Sequence, residues 1–148
     1  MSLTVKDVMV NGVVTVEENL NIRNAAILMQ RRGVSSLIVI NSEELCGIVT
    51  EKDLVTRVLS MSVNPESVKI SEIMSQPVMV TTSSTPLEEA IRMMLTQGIR
   101  KLPVVDKEKL VGIISLTDVA MTYPAIYTTM RQLQEIELNR KEVTPYIS

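Results

Sequence analysis

Hydrophobic residues recur at helical spacing in two stretches of the chain. In residues 22–29 the apolar positions fall at i, i+3, i+4 and i+7, and residues 87–95 repeat that pattern. This spacing puts the apolar side chains on one face, so it predicts two amphipathic helices. Pro86 suits the first position of the second helix. Gly33 and Gly98 stand where a helix ends in the left-handed conformation.

Short β-rich runs surround each of these helices. They are residues 13–16, 37–40 and 45–49 in the first stretch and residues 78–81, 102–105 and 110–114 in the second. The polar connectors NSEE and DKEK predict hairpin turns, although neither contains an Asn-Gly or Asp-Gly pair. A further helix begins at Thr50 and at Ser115. Each stretch therefore predicts a β-α-β-β-α unit.

The chain repeats itself after 65 residues. With that offset, residues 5–57 match residues 70–122 without a gap, and many of the differences exchange one apolar residue for another. Two copies are too few for a solenoid, so we predict a mixed α/β (α+β) fold in which the two repeats pack face to face. We place the repeats at residues 1–62 and 70–122, a linker at 63–69, and a helical extension at 123–148.

The segment after the second repeat predicts one more helix, over residues 123–143. Ile126, Met130, Leu133 and Glu137 share a face, which is only partly apolar. Two interpretations stay open. Either the helix lies on its own domain, or it makes a contact in a homodimer or with a partner protein, since small domains often form symmetric dimers.

Composition excludes several classes of protein. The chain has no histidine, which excludes Ser-His-Asp and Cys-His catalysis and imidazole metal ligands. A lone cysteine, Cys46, can form no internal disulfide and no structural zinc site, and it fits a cytoplasmic protein. The net charge of −2 and the absence of Phe and Trp argue against nucleic-acid binding. The apolar runs are far shorter than the ~20 residues of a membrane span, and no signal peptide opens the chain.

Two matching stretches carry the candidate chemistry. GIVTEKDL and GIISLTDV each place a hydroxyl residue, Thr50 or Ser115, three positions before an aspartate, Asp53 or Asp118. This pattern is typical of a helix start. The hydroxyl accepts a hydrogen bond from the backbone N–H three residues on, and an acid in the first turn faces the positive end of the helix dipole. Capping alone, however, does not require the aspartate.

These paired stretches resemble the cystathionine β-synthase (CBS) domain, here as a tandem pair called a Bateman module. VMVNGVVTV and IMSQPVMVT resemble the opening of that domain, although Val80 replaces its threonine in the second copy. TPLEEAIRMM and GIRKLPVVD resemble its first helix and the strand after it. The resemblance covers residues 3–122. It implies two repeats related by a pseudo-twofold axis, with two clefts that in many members bind AMP, ADP, ATP, S-adenosylmethionine or NAD.

The resemblance gives each motif a second interpretation, as a ligand site. The helix start and the motif hydroxyl would bind a phosphate, and the aspartate would accept two hydrogen bonds from a ribose diol. Adenine would lie against apolar side chains, for which Ile48 and Ile113 are the nearest candidates. Lys52 is either a phosphate contact or a solvated charge, and Thr117 belongs to the same candidate set. Gly47, like its counterpart in the second motif, would let the strand bend before the turn.

In the family each cleft combines elements of both repeats. On that basis Thr85 and Ala90 would join the first motif, and Leu20 and Ala25 would join the second. Leu20 stands where Thr85 stands in the other repeat, so the site of the second motif has one hydroxyl fewer.

Two basic residues also distinguish the sites. Arg100 and Lys101 match positions where some family members place basic residues on phosphates, whereas the first repeat has Ser35 and Ser36 there. The planar guanidinium of arginine fits phosphate oxygens well. Such contacts favour AMP, ADP or ATP over S-adenosylmethionine, which carries a positive centre.

We therefore predict a non-enzymatic regulator, suited to energy sensing, that binds an adenine nucleotide in one or both clefts and acts on an unidentified partner protein. It would use no catalytic cofactor and no metal, and it would form a homodimer. The alternatives are an interaction module with vestigial clefts and a binder of S-adenosylmethionine or NAD. A phosphohydrolase would need Glu51, Asp53 and Asp118 to hold Mg²⁺, but these acids diverge on one helix or belong to different repeats.

Overall fold

A computed structural model of the chain describes residues 3–76 and 78–143, which fold into two compact units. We call Gly12–Met79 the first-repeat unit, and Met1–Asn11 together with Val80–Ser148 the second-repeat unit. Both contain helices and strands, and a helix follows the second repeat. The predicted mixed α+β fold with a C-terminal helix is confirmed.

The first-repeat unit is a three-stranded sheet with helices. Its elements are β1 (Thr15–Glu17), α1 (Ile22–Arg32), β2 (Ser36–Asn41), β3 (Glu44–Thr50) and α2 (Glu51–Leu54), which continues as a π-helical turn over Val55–Leu59. β2 pairs in parallel with β1 and antiparallel with β3. The α1 helix begins after Asn21, whose side chain accepts from the Asn24 N–H, and ends at Gly33 with a positive φ of 64°.

The second-repeat unit has the same plan with a smaller sheet. Its elements are α3 (Leu87–Gln97), β4 (Lys101–Asp106), β5 (Lys109–Ser115), α4 (Leu116–Thr122) and α5 (Pro124–Val143). β4 and β5 pair antiparallel, and the predicted extended run before α3 contributes a single parallel bridge, between Thr81 and Val104. The predicted start of α3 at Pro86 is wrong by one residue. Pro86 has a ψ of 136°, so it caps the helix and Leu87 begins it.

Both predicted hairpins are confirmed, with two-residue turns. Ser42 and Glu43 occupy one turn, and Lys107 and Glu108 the other, all with φ between 50° and 71°. A turn with two left-handed residues matches the twist of the flanking strands, so it closes the hairpin even without glycine.

The core of each unit includes an apolar residue from the segment that precedes the other repeat in sequence. Val5 is fully buried with Leu87 and Leu102 in the second-repeat unit. Ile70 is fully buried with Leu37 in the first-repeat unit. Burying one such side chain contributes roughly 1.5–3 kcal/mol. The segment before the first repeat thus packs in the second-repeat unit, and the segment that opens the second repeat packs in the first-repeat unit.

The α5 helix lies on its own unit, packed against α3 and α4. Met130 is buried in the core, and the Gln134 side-chain amide donates to the Leu95 carbonyl. Leu133 and Ile136 remain about half exposed. The inner face of this helix therefore packs on its own domain, which is the first of the two interpretations given above. None of the helices within residues 3–76 and 78–143 has the length and apolar character needed to cross a bilayer.

Candidate functional site

The first motif forms a complete capping box at the junction of β3 and α2. The Asp53 carboxylate accepts from the Thr50 N–H at 2.9 Å and from the Thr50 hydroxyl at 3.2 Å, both on Oδ2. In return the Asp53 N–H donates to the Thr50 hydroxyl oxygen at 3.4 Å. Asp53 is only 8% exposed. The helix-cap interpretation of this motif is therefore correct, whatever else the motif does.

Arg57 adds a positive charge beside the same carboxylate, and our sequence analysis did not include it. Its Nε lies 3.7 Å from the Asp53 Oδ1, and its Nη1 donates to the Ile73 carbonyl at 2.8 Å. The spacing of four residues on a helix is a recognised ion-pair signal, so the sequence contained the information needed to predict this contact.

The second motif also begins a helix after an extended hydroxyl residue, but the side chain of its aspartate does not take part in the cap. Ser115 is 5% exposed, and its oxygen accepts from the Asp118 N–H at 3.0 Å. Asp118 is half-buried. Within the described residues, its carboxylate takes part in no hydrogen bond or ion pair, and Thr122 stands where the first repeat has Arg57.

The predicted basic residues lie next to the second motif in the second-repeat unit. Lys101 pairs directly with Ser115 across β4 and β5, and the Arg100 carbonyl accepts from the Leu116 N–H at 2.9 Å. Arg100 is exposed and Lys101 is half-buried. At one end of this hairpin the backbones of Arg100 and Lys101 therefore lie beside Ser115 and the first turn of α4, which carries Asp118.

The corresponding end of the first hairpin has serines in place of the two basic residues. Ser36 pairs with Thr50, and the Ser35 carbonyl accepts from the Glu51 N–H at 3.1 Å. Lys52 is exposed in the first turn of α2. Thr117, its counterpart in the second motif, is also exposed.

The glycine of each motif lies where another segment packs closely, and a register shift in the hairpin falls directly beside it, as an expected bend of the strand requires. A Cβ on Gly112 would lie 2.8 Å from the Val10 carbonyl oxygen, and a Cβ on Gly47 would overlap the Met74 sulfur. Neither glycine has a positive φ. The leading segments therefore pack directly on β3 and β5, and at Gly112 an added side chain would meet backbone.

The same segments pair with the two candidate adenine contacts. Ile48 exchanges two backbone hydrogen bonds with Ser75, at 2.9 and 3.3 Å, and Ile113 exchanges two with Val10, at 2.9 and 3.0 Å. Both isoleucines are half-buried. Part of each side chain therefore remains able to contact a ligand.

The remaining candidate residues lie on or before the first helix of each repeat. Ala25 and Ala90 are fully buried in the cores of their own units, and Leu20 is half-buried against the first-repeat core. Thr85 is half-buried, with its hydroxyl 2.8 Å from that of Thr82. That one cleft combines residues of both repeats stays a prediction.

Over residues 3–76 and 78–143, no group of three or more His, Cys, Asp or Glu side chains is placed to hold a metal ion. Burial and the nearby Glu18, Glu17 and Glu44 raise the pKa of the Cys46 thiol, so it stays protonated and weakly nucleophilic.

Comparison with known proteins identifies the family. The family model of the CBS domain matches residues 5–60 and 70–124. The CBS domain-containing protein YhcV of Bacillus subtilis is 35% identical over 118 residues, which cover 80% of this chain and 84% of that protein.

Similar solved structures are also CBS-domain proteins. The hexameric CBS-CP12 protein from bloom-forming cyanobacteria is similar with a TM-score of 0.79 at 28% identity, over 98% of this chain and 87% of that one. The CBS domain pair of protein MJ0100, solved with 5′-methylthioadenosine and S-adenosyl-L-methionine, has a TM-score of 0.73 at 25% identity, over 81% of this chain and 98% of that one. The chain therefore belongs to the CBS domain family, with two CBS domains in tandem.

Proposed function

We propose that this protein is a cytoplasmic regulatory module, without catalytic activity of its own, that binds AMP, ADP or ATP and relays the binding to a separate partner protein. The observation that carries the proposal is that the positions of Arg100, Lys101, Ser115 and Asp118 adjoin along the backbone at one end of the β4–β5 hairpin. The side chains at these positions match the chemical groups of a nucleotide.

The carboxylate suits the ribose. An ionised aspartate has two oxygens and accepts hydrogen bonds only, so it can bind both hydroxyls of a ribose diol. Asp118 is half-buried and its carboxylate is not used by the described part of the chain. Hydrogen bonds to a charged acceptor are also stronger than those between neutral groups.

The basic pair suits the phosphates. Lys101 lies directly across from Ser115, and Arg100 is the residue before it. A guanidinium and an ammonium group attract phosphate oxygens, and they repel a sulfonium centre. This charge pattern favours a nucleotide over S-adenosylmethionine.

The relay follows from how a ligand acts on an equilibrium. A nucleotide shifts the protein between two states only as far as it binds one state more tightly than the other. We propose that the receiving partner is a separate protein, and that this chain forms a homodimer, in line with the hexameric assembly of the cyanobacterial relative.

Calorimetric titration tests the proposal. AMP, ADP, ATP, S-adenosylmethionine and NAD are titrated into the wild type and into the double variant Arg100→Ser, Lys101→Ser, which carries the serines of the first repeat. We expect the adenine nucleotides to bind, and the double variant to lose ATP affinity. At a hundred times its dissociation constant, ATP would stabilise the wild type by about 2.7 kcal/mol. If no adenine nucleotide binds the wild type, the proposal is wrong.

A second candidate is a sensor of 5′-methylthioadenosine or S-adenosylmethionine. It is favoured by the MJ0100 domain pair, which was solved with both compounds. In that case S-adenosylmethionine binds more tightly than ATP, and the serine double variant binds it at least as well as the wild type does. An interaction module with vestigial clefts would bind none of the five compounds.

A further inference from the structure

We propose that the homodimer forms through α5, by antiparallel pairing of the α5 helices of two copies along a narrow stripe. The stripe consists of Ile126, Thr129, Leu133 and Ile136, and it follows one flank of the helix beside the buried face. This inference rests on the homodimer of the proposed function and adds its contact surface and its orientation. It does not depend on which nucleotide the protein binds.

Two large apolar side chains of the stripe are open to solvent. Leu133 is 49% exposed and Ile136 is 51% exposed, whereas Met130 on the same helix is buried in the core. Since they are three residues apart, these two side chains are neighbours on the helix surface. Thr129 is exposed beside them, and its hydroxyl donates to the Ala125 carbonyl at 2.9 Å. Because that hydrogen bond lies within the helix, a partner can cover Thr129 without leaving its donor unpaired.

The spacing of the stripe indicates that another helix covers it. Its members are separated by three, four and three residues, and positions 140 and 143 continue the alternation to the end of α5. An average period of about 3.5 residues is typical of two helices that wrap around each other. With 20 residues, α5 is about 30 Å long. The stripe therefore offers a second helix a contact along nearly the whole of α5.

An inverted copy of the same helix fits this pattern. In a twofold pair, residue i of one copy meets residue j of the other, and j meets i. With the axis between Leu133 and Ile136, each Leu133 lies opposite the partner's Ile136. The two polar positions of the pattern, 129 and 140, then lie opposite each other as well. The helix is therefore complementary to itself when the two copies run in opposite directions.

Charges beside the stripe favour the antiparallel arrangement. Arg92 of α3 and Glu137 of α5 line one shallow groove together with Leu133. Both charged side chains are exposed, and these two described residues form no ion pair with each other. In the antiparallel pair, position 137 lies opposite position 132 of the second copy, so Glu137 comes close to the partner's Arg92. In a parallel pair each Glu137 would face its own counterpart, and like charges repel.

Analytical ultracentrifugation of two single variants tests the surface. Leu138 is the matched control for Ile136, because it is 48% exposed on the same helix but lies outside the stripe. We expect a dimeric wild type. We expect Ile136→Lys to raise the dissociation constant of the dimer by at least about tenfold, and Leu138→Lys to change it by less than about twofold, because only the first buries an unpaired charge. Both positions are half exposed in the single chain, so both variants fold.

The variants Arg92→Glu and Glu137→Arg test the orientation. Each variant alone places like charges in both symmetric contacts, so it should dimerise more weakly than the wild type. In an equimolar mixture, a heterodimer of the two variants has opposite charges in both contacts, and we expect it to predominate. Native mass spectrometry distinguishes the species by mass. A contact within one chain cannot be restored by mixing two chains, so this preference would identify the contact as intermolecular.

Three results would overturn the inference. One is a wild-type dimer that Ile136→Lys weakens no more than Leu138→Lys does. Another is a mixture of the charge variants with no more heterodimer than random pairing gives. A monomeric wild type would overturn the inference together with the homodimer of the proposed function, and it would leave a different protein as the occupant of the stripe. Nucleotide binding is measured separately by the calorimetric titration, so none of these results decides it.

Discussion

The Asp106 carboxylate accepts two hydrogen bonds from Ser83, one from its backbone N–H at 3.0 Å and one from its hydroxyl. The first-repeat unit has the same contact with the chemistry reversed, because the Asn41 side-chain amide donates to the Glu18 carboxylate at 3.0 Å. The offset of 65 residues relates both pairs. Both repeats therefore have a side-chain hydrogen bond between the segment before the first helix and the last residue of the first hairpin strand. The donor and the acceptor are exchanged between the two repeats.

This contact predicts a dependence of stability on pH. The hydrogen bonds from Ser83, together with the nearby Lys6 and Lys107, hold the pKa of Asp106 below its usual range. A depressed pKa contributes stability above the ordinary aspartate value of about 3.9, and that contribution is lost as the pH falls through the folded-state value. We expect Asp106→Asn to be less stable than the wild type at pH 7, with a smaller difference at pH 3.

Urea unfolding of both proteins at the two pH values measures this difference, and all other carboxylates cancel in the comparison. An equal gap at pH 7 and pH 3 would show that the charge on Asp106 contributes nothing.

Replacing Thr81 by valine should stabilise the protein. Thr81 is 5% exposed, and its hydroxyl has no hydrogen-bond partner among the described residues. Valine has nearly the same shape and stands at the matching position of the first repeat, as the buried Val16. We expect Thr81→Val to raise the free energy of unfolding by about 1 kcal/mol, because an unpaired buried hydroxyl costs that much or more.

The control is Thr15→Val, at an exposed position of β1, which should change stability by less than about 0.5 kcal/mol. Denaturant melts of the two variants decide the matter, and a destabilised Thr81→Val would mean that a water molecule or ligand satisfies that hydroxyl.

Gly112→Ala should destabilise the protein. The new Cβ would lie 2.8 Å from the Val10 carbonyl oxygen, which is backbone and moves only with its whole segment. We expect a loss of roughly 1–3 kcal/mol, the usual cost of overpacking.

Gly12→Ala is the matched control, because a Cβ there has no neighbour within 4 Å and the backbone has no positive φ. It should be neutral or slightly stabilising. If equilibrium unfolding gave both variants the same stability, the close approach at Gly112 would not exist in solution.

Replacing Glu43 in the first hairpin turn by glycine should stabilise the protein. Glu43 has a φ of 71°, in the left-handed region that strains a side chain. We expect Glu43→Gly to gain about 0.5–1 kcal/mol, reduced by the greater freedom of glycine in the unfolded chain.

Glu44→Gly, one residue further on in β3, should instead lose stability, since glycine weakens a strand. Chemical unfolding curves of the two variants compare the positions. A gain at both would point to the removal of negative charge, and not to the turn, as the cause.

Local contacts were the part of the site that the sequence predicted well. Thr50 and Asp53 are three residues apart, so the capping box follows from spacing alone, and the Asp53–Arg57 pair could have been found in the same way. The hairpins and α1 also follow from short-range pattern. The one-residue error at Pro86 arose because proline is common at the first helical position, whereas the ψ of 136° at Pro86 places it just before the helix.

Contacts between distant segments could not be predicted in this way. The two glycines look like bend positions in sequence, and only the structure shows that Met74 and Val10 press on them. The difference between Asp53 and Asp118 likewise needs burial and hydrogen-bond partners, because the two motifs read alike.

Each unit contains the segment that precedes the other repeat, so the chain cannot be divided cleanly between the two sequence repeats. A fragment cut at the sequence repeat, such as residues 1–69, would leave Val5 without its core and deprive the first sheet of Ile70 and Ile73. A fragment that contains only one sequence repeat is therefore not expected to fold on its own. Each unit contains segments from both sides of residue 69, so a proteolytic cut there would disconnect Ile70 from the rest of the first-repeat unit and Val5 from the rest of the second-repeat unit.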